Sequence, residues 1–156
     1  MKQARRTFLA TSVAGGVALA ALGALRPIGA YAAPFNASAA GANNLKAAYQ
    51  GLGAQQMAES RDIFIKAPEI AEIGSVVPVE VTSKVAGTSA IAILIEKNIN
   101  PFTANFTIPP GTEGYASTRV KMSGSSPLHV VVQAGDKFYH AEKAVKVTIG
   151  GCGGGS

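Results

Sequence analysis

The chain has 156 residues, of which 14 are basic, nine are acidic and one is a cysteine. This length allows one domain and leaves little room for two. A single cysteine excludes an internal disulfide framework and a zinc site built from several thiolates. Charged residues make up only 15% of the chain, against about 25% in typical globular proteins, so the location of those few charges matters.

The first 32 residues have the layout of an export signal. An uncharged apolar stretch is surrounded by four basic residues, Lys2, Arg5, Arg6 and Arg26. Ala30-Tyr31-Ala32 follows as a small-residue cleavage site. Cleavage after Ala32 leaves residues 33–156, which keep ten of the 14 basic residues and all nine acidic ones. Because the excess positive charge is removed with the signal, neither nucleic acid nor a membrane surface is expected as a partner.

The paired arginines favour one export route. Ala4-Arg5-Arg6-Thr7-Phe8-Leu9 resembles a twin-arginine signal, and glycines weaken the apolar stretch that follows, as that pathway tends to require. This route carries folded proteins, so the resemblance implies export with a cofactor or with a partner that has no signal. An ordinary secretory signal is the alternative. The glycines and the cleavage site argue against a membrane anchor.

Residues 33–61 are expected to form an N-terminal segment with one short helix. Residues 33–44 are small and polar, which predicts a flexible start. Apolar residues then recur at helical spacing, at Leu45, Ala48, Tyr49 and Leu52. Asn43 or Asn44 is placed to cap this helix.

From residue 62 to residue 149 the pattern changes to the period-two alternation of half-buried strands. Apolar residues alternate in runs near 63–65, 77–81, 91–95, 102–108, 120–122, 128–132, 138–140 and 145–149. Glycine and proline turn signals separate the runs, and Gly135-Asp136-Lys137 predicts a hairpin tip. This spacing predicts an all-β, immunoglobulin-like antiparallel sandwich of about seven strands over residues 62–149.

One predicted strand is apolar on both faces. Ile91, Ile93 and Ile95 alternate with Ala92 and Leu94, which make the second face apolar as well. Such a strand has to be covered on both sides. Either the N-terminal helix covers the outer face or a partner protein does, and the sequence leaves both alternatives open.

The chain ends in a glycine-rich segment, residues 150–156, that contains the only cysteine. Glycine gives the backbone its greatest freedom and adds no bulk, so the segment should act as a flexible arm. At about 3.3–3.6 Å per residue, the thiol of Cys152 projects roughly 10 Å beyond the last strand. The arm is formed by Gly150, Gly151, Gly153 and Gly154 on either side of the cysteine.

The surroundings of Cys152 in the sequence are unsuited to catalysis by its thiol. Neither His129 nor His140 is tied to the tail by sequence, and no Lys or Arg follows Lys146. A catalytic thiol needs a nearby base and a fixed geometry, which flexible glycines do not provide. The pattern favours a carrier, in which Cys152 holds a covalently bound substrate and presents it to the active sites of other proteins.

Three segments resemble the SoxY family, the sulfur-carrier subunits of a periplasmic thiosulfate-oxidising system. They are Val147-Thr148-Ile149-Gly150-Gly151-Cys152-Gly153-Gly154, Pro68-Glu69-Ile70-Ala71-Glu72-Ile73-Gly74 with Val77-Pro78-Val79, and Asn100-Pro101-Phe102 leading to Phe106. The twin-arginine start also matches, whereas Gly155-Ser156 extend past the usual ending. The resemblance implies a periplasmic carrier with an immunoglobulin-like sandwich and covalent substrate attachment at Cys152.

The same resemblance implies the partners. A SoxZ-like subunit without its own signal would form a heterodimer with this chain, which would explain both the folded export and the apolar outer strand face. A haem-containing SoxAX-like enzyme would attach thiosulfate to Cys152 as an S-thiosulfonate. A SoxB-like hydrolase would release sulfate and leave a persulfide, and a sulfane dehydrogenase would act in organisms that have one. The chain itself is expected to be no enzyme and to need no cofactor or metal.

The sequence gives less support to a copper site, to an acid/base pair or to a purely structural role. Met122, His129, His140 and Cys152 are copper-ligand types, but blue-copper sites place Cys, His and Met in one short loop, and only glycine and serine follow Cys152. Glu69 and Glu72 have no evident acid/base partner and are expected to be solvated loop carboxylates. The main alternative to a carrier is an exported interaction module whose tail cysteine forms an intermolecular disulfide.

Overall fold

Nine strands and two short helices make up residues 36–149, the part of the chain that this computed structural model describes. The helices are α1 (Ala37–Ala40) and α2 (Leu45–Leu52). The strands are β1 (Met57–Glu59), β2 (Ile63–Lys66), β3 (Ile70–Ile73), β4 (Val77–Ser83), β5 (Thr88–Ile95), β6 (Phe102–Thr107), β7 (Gly114–Val120), β8 (Ser126–Ala134) and β9 (Lys137–Ile149). The export signal and the glycine-rich tail lie outside these residues. None of the described helices is long and apolar enough to cross a membrane.

The strands form two sheets that pack as a sandwich. The larger sheet has the order β1-β9-β8-β5-β6, and β3 pairs with the far part of β9. The smaller sheet has the order β2-β4-β7, with antiparallel pairing throughout. The all-β sandwich expected from the alternating pattern is therefore confirmed, with nine strands where about seven were predicted.

The main core lies between the two sheets, where the inward residues of the central strands meet. These residues are fully or almost fully buried, and they include Val77, Val79 and Val81 of β4, Ile91, Ile93 and Ile95 of β5, and Leu128, Val130 and Val132 of β8. Complete burial of such a side chain contributes about 1.5–3 kcal/mol to folding. The period-two pattern of the sequence thus marks the residues that hold the sandwich together.

A second, smaller core covers the outer face of the larger sheet. Ala92 and Leu94 of β5 pack there with Val131 of β8 beneath helix α2, whose Ala48 is completely buried. This arrangement decides the question that the sequence left open, because the chain's own N-terminal helix covers the second apolar face of β5. Of the two alternatives, the structure therefore supports the helix, and a partner subunit is not needed to explain that face.

The N-terminal segment is more ordered than its composition predicts. Residues 37–40 form α1, whose cap is Asn36, which accepts a hydrogen bond from Ala39 N at 2.9 Å. Of the two candidate caps for α2, the structure selects Asn44, which accepts from Ala47 N at 2.8 Å. Helix α2 ends at Gly53, whose φ of 75° lies in the left-handed region that favours glycine.

Several strand boundaries differ from the sequence prediction. Strands β1 and β3 have mostly exposed residues and pair in parallel with β9, so neither has a strong alternation of its own. Strand β7 begins earlier than the sequence pattern predicts. Its first buried positions are the small residues Gly114 and Ala116, which give no clear apolar alternation. The last two predicted runs are one 13-residue strand, β9. The hairpin predicted before β9 is confirmed. Its turn consists of Gly135 and Asp136, and Gly135 has a φ of 60°.

Gly51 allows the two helices to touch. It lies within α2, and its carbonyl oxygen accepts a hydrogen bond of 2.8 Å from Asn36 Nδ2. A Cβ added at this position would lie 2.6 Å from Ala39 Cα and 2.7 Å from the carbonyl carbon of Ser38. Because these are backbone atoms, α1 would have to move away from α2 to make room.

We therefore expect Gly51→Ala to destabilise the protein. Overpacking costs about 1–3 kcal/mol, while replacing glycine by alanine within a helix returns at most about 1 kcal/mol. The expected result is a net loss of about 1 kcal/mol in the free energy of unfolding, measured by urea denaturation. Gly124→Ala is the matched control, because a Cβ at Gly124 meets no atom within 4 Å. Equal urea midpoints for the two variants would contradict this account of the helix contact.

Candidate functional site

Strand β9 leads directly into the glycine-rich tail, and β3 holds its last residues in place. The two strands are parallel, with Ile73 opposite Ile149. Gly74 N donates to the carbonyl oxygen of Ile149 at 2.8 Å, and Lys146 N donates to the carbonyl oxygen of Glu69 at 2.9 Å. The backbone of β9 is therefore hydrogen-bonded up to its final residue.

Side chains fasten the same end of β9. Thr148 Oγ1 donates to the carbonyl oxygens of Ala71 and Glu72 at 3.2 and 3.3 Å. Ser125 Oγ accepts a hydrogen bond of 2.9 Å from Val147 N. These bonds tie the end of β9 to β3 on one side and to the segment before β8 on the other. The tail consequently starts from a fixed point on the sandwich.

The predicted carrier residues all lie beyond the described part of the chain. They are Cys152 and the arm glycines Gly150, Gly151, Gly153 and Gly154, which begin directly after Ile149. Chain length alone limits the thiol to roughly 10 Å from Ile149. The site that the structure describes is therefore the root of the arm, meaning the end of β9 and the residues around it.

Neither histidine can serve as a base for the tail thiol. His140 lies nine residues before the end of β9, which is roughly 30 Å along a strand. His129 is paired with Glu142, seven residues or roughly 23 Å before that end. Both distances exceed the roughly 10 Å reach of the thiol. The expectation that no local group activates Cys152 thus agrees with the positions of the two histidines.

His129 lies on the outer face of the larger sheet, as its phase in β8 predicted, but it is buried there. Its ring makes an edge contact with Tyr49 of α2, at 6.4 Å between centroids. Nδ1 lies 3.4 Å from a Glu142 oxygen and Nε2 lies 3.6 Å from a Glu96 oxygen. The apolar residues Ala92 and Leu94 on the same face were the sequence signal that this face is covered.

Tyr49, which packs against His129, has a displaced pKa. Burial beneath the helix, followed by the negative charges of Glu142 and Glu96, raises the pKa of Tyr49 to about 12. The phenol therefore stays protonated at any physiological pH. Tyr49 and His129 join α2 to the sheet, and this position gives both residues a structural role.

The three copper-ligand candidates among the described residues do not lie together, because the larger sheet separates Met122 from both histidines. Met122 is completely buried in the core between the sheets. His129 of β8 and His140 of β9 lie on the outer face of the larger sheet, because neither is in phase with the core residues of its strand. Among residues 36–149, no group of three His, Cys, Asp or Glu side chains is arranged to hold a metal ion. Glu69 and Glu72 are exposed as expected, although Glu72 belongs to β3 and not to a loop.

A cavity of about 580 Å³ lies between α1 and the outer face of the larger sheet. It is at the opposite end of the sandwich from the arm root, where β5 begins and β8 ends. None of its described lining residues is ionisable, and the polar ones are Asn36, Ser38, Ser89, Asn105, Thr107 and Gln133. The described lining includes serine and threonine hydroxyls but no acid or base that could activate them.

Both the sequence and the fold of this chain are similar to those of known proteins. The family profile "Sulfur oxidation protein SoxY" matches residues 48–152, a span that ends at Cys152. A solved structure, the sulfur carrier protein SoxY from Chlorobium limicola f thiosulfatophilum, is 41% identical, with a TM-score of 0.60. The match covers 65% of this chain and 89% of that one. No curated protein sequence matches the chain. Because the family match covers well over half of the chain, the chain belongs to the SoxY family of sulfur oxidation proteins.

Proposed function

We propose that this protein is a covalent sulfur carrier in thiosulfate oxidation and that Cys152 is its attachment site. The observation that carries the proposal is the family match, which extends to the only cysteine of the chain. That cysteine lies three residues after Ile149, the last residue of β9 that pairs with β3. A fixed root and a short glycine arm are what a carrier needs to present a bound group to another protein.

The proposed cycle uses the thiol as a handle for sulfur. The thiol of Cys152 and thiosulfate join through a new sulfur–sulfur bond, losing one proton and two electrons to a haem-containing, SoxAX-like enzyme. At a SoxB-like hydrolase, water then cleaves the bond between the added sulfur atom, which is bonded to the cysteine sulfur, and the sulfonate group. Sulfate and a proton leave, and Cys152 keeps one extra sulfur atom as a persulfide. A sulfane dehydrogenase is proposed to oxidise that sulfur in organisms that have one.

The carrier chain contributes attachment and delivery, and its partners contribute the chemistry. The remoteness of both histidines from the arm root supports a non-enzymatic role for Cys152. Membership of the SoxY family implies a SoxZ-like subunit as the heterodimer partner. Since α2 covers the second apolar face of β5, we propose that this subunit binds elsewhere on the sandwich.

We also propose that the protein is exported folded to the periplasm. The support is Arg5-Arg6 with the weakly apolar stretch and the cleavage site that follow it. The twin-arginine route fits a carrier that has to leave the cytoplasm together with a partner that has no signal of its own.

Intact mass spectrometry tests attachment at Cys152. After incubation of the carrier complex with thiosulfate and the SoxAX-like enzyme, the chain should gain the mass of one thiosulfate group, which dithiothreitol removes. Treatment with the SoxB-like hydrolase should then leave the mass of one sulfur atom. The Cys152→Ser chain should gain neither mass and should support no sulfate formation, because it has no thiol.

A Cys152→Ser chain that still supported full sulfate formation would rule out the carrier role. If the unaltered chain gained only the mass of a second copy, the tail cysteine would form an intermolecular disulfide, and the interaction-module alternative would be correct.

The export proposal is tested by exchanging the two arginines for lysine. An Arg5→Lys and Arg6→Lys double variant keeps both charges, so an ordinary secretory signal should tolerate it, whereas the twin-arginine route should not. We expect the precursor of the double variant to remain in the cytoplasm, as measured by immunoblotting of cell fractions. Arg26→Lys is the matched control and should be exported and cleaved normally. Normal export of the double variant would contradict the proposed route.

A further inference from the structure

Exposed apolar side chains are concentrated at one end of the sandwich. Among the described residues, seven large hydrophobic side chains are exposed. Five of them lie at the end from which the tail leaves, and we call these five the arm-end surface: Ile70, Ile73, Val76, Ile99 and Ile149. The other two, Phe64 and Tyr115, lie on the outer face of the smaller sheet near its opposite end.

Hydrogen bonds connect the segments that carry the arm-end surface. Gly74 N donates to the carbonyl oxygen of Ile149, and the carbonyl oxygen of Gly74 accepts from Met122 N at 2.7 Å. The neighbouring Lys121 carbonyl accepts a bond of 2.7 Å from Asn98 Nδ2, which positions the loop that contains Ile99. The exposed isoleucines therefore belong to one framework and not to separate loose segments.

Two exposed isoleucines at the arm root, Ile73 and Ile149, lie in line with a pair of residues that pack against the main core. Ala71 and Val147 are paired and pack against the main core, with Ala71 only 6% exposed. Ile73 and Ile149, two residues further along the same strands, are 57% and 64% exposed. They have the phase of core residues but no described neighbour that covers them.

The charges at this end nearly balance one another. Three acidic and four basic residues lie in or beside the segments that form it, namely Glu69, Glu72, Glu96, Lys97, Arg119, Lys121 and Lys146. A protein that recognises this end would therefore gain little from net charge and more from burial of apolar area. This property identifies the chemistry of the partner surface, which should itself be apolar.

We propose that the arm-end surface docks on an apolar surface beside the active-site entrance of each enzyme that acts on the sulfur bound to Cys152. The inference rests on the proposed carrier function and adds the surface that the enzymes recognise. The occupant follows from the length of the tail. Because the thiol reaches only roughly 10 Å from Ile149, an enzyme that takes it into a channel must bring its own surface against the arm root.

The same geometry predicts that successive enzymes use the same surface. Each of them is limited by the same short tether, so each has to approach the same end of the sandwich. A modest apolar contact suits this role, because the carrier must leave one enzyme before the next one can bind. The arm-end surface is therefore the part of the carrier that all of these enzymes bind. Each enzyme then distinguishes its own substrate by the sulfur group that is bound to Cys152.

The test measures sulfate release by the SoxB-like hydrolase as a function of carrier concentration. The carrier is the exported chain in complex with its SoxZ-like subunit and loaded with thiosulfate. The arm-root variant carries Ile73→Ser and Ile149→Ser. The matched control carries Phe64→Ser and Tyr115→Ser, which removes the other two exposed hydrophobic side chains of the described residues.

We expect the arm-root variant to raise KM by about tenfold with kcat unchanged, because docking is weakened while the thiol is intact. The control should keep the KM of the unaltered carrier. Reaction of Cys152 with a small disulfide reagent should be equally fast in all forms. Ile99→Ser, in the loop between β5 and β6, should raise KM about threefold and remains informative if the double variant does not fold.

Four outcomes would overturn the inference. The first is an unchanged KM for both Ile99→Ser and the arm-root variant, and the second is an equal rise in KM for the control variant. The third is loss of the SoxZ-like subunit from the arm-root variant, and the fourth is an arm-root variant that differs from the unaltered carrier only in self-association. The last two would assign the surface to the partner subunit or to a second copy of the chain. If the unaltered carrier released no sulfate at all, the proposed function itself would fail, which is a separate result.

Discussion

Strand β9 is hydrogen-bonded along both of its edges, and most of the functional geometry depends on that pairing. Along one edge it pairs with β8 in an antiparallel register, and along the other it pairs in parallel with β1 and then with β3. If β3 were absent, the last residues of β9 would extend beyond β8, which begins opposite Val145, and would lose the backbone pairing that holds Ile149. The short strand β3 thus converts a loose strand end into a fixed root for the tail.

A fixed root matters because the tail is short. A thiol on a few flexible residues explores a volume that is set by its point of attachment, and a mobile attachment point would dilute the thiol over a larger volume. Because Gly74 N donates to the carbonyl oxygen of Ile149, the last described residue of β9 is itself held in place. The described residues therefore form a rigid platform from which the tail starts.

Helix α2 changes the interpretation of the rest of the surface. It covers the outer face of β5 and buries His129 between Tyr49 and two glutamates. Two features that suggested outside partners or ligands from the sequence, a doubly apolar strand and a histidine on an outer face, thus serve the internal packing of the domain. With these features explained, the exposed hydrophobic side chains at the arm root become the more informative surface.

Local chemistry determined the candidate site, because a lone cysteine between glycines needs no fold to be recognised. Alternation of residues likewise determined the sandwich, since central strands such as β4 and β5 bury every second side chain. Strands β1 and β3 could not be predicted in this way, because short and mostly exposed segments are stabilised by the edge of β9 and not by their own pattern. Only the tertiary structure decided that α2 covers β5 and that β3 secures Ile149, because both depend on contacts between residues that are distant in sequence.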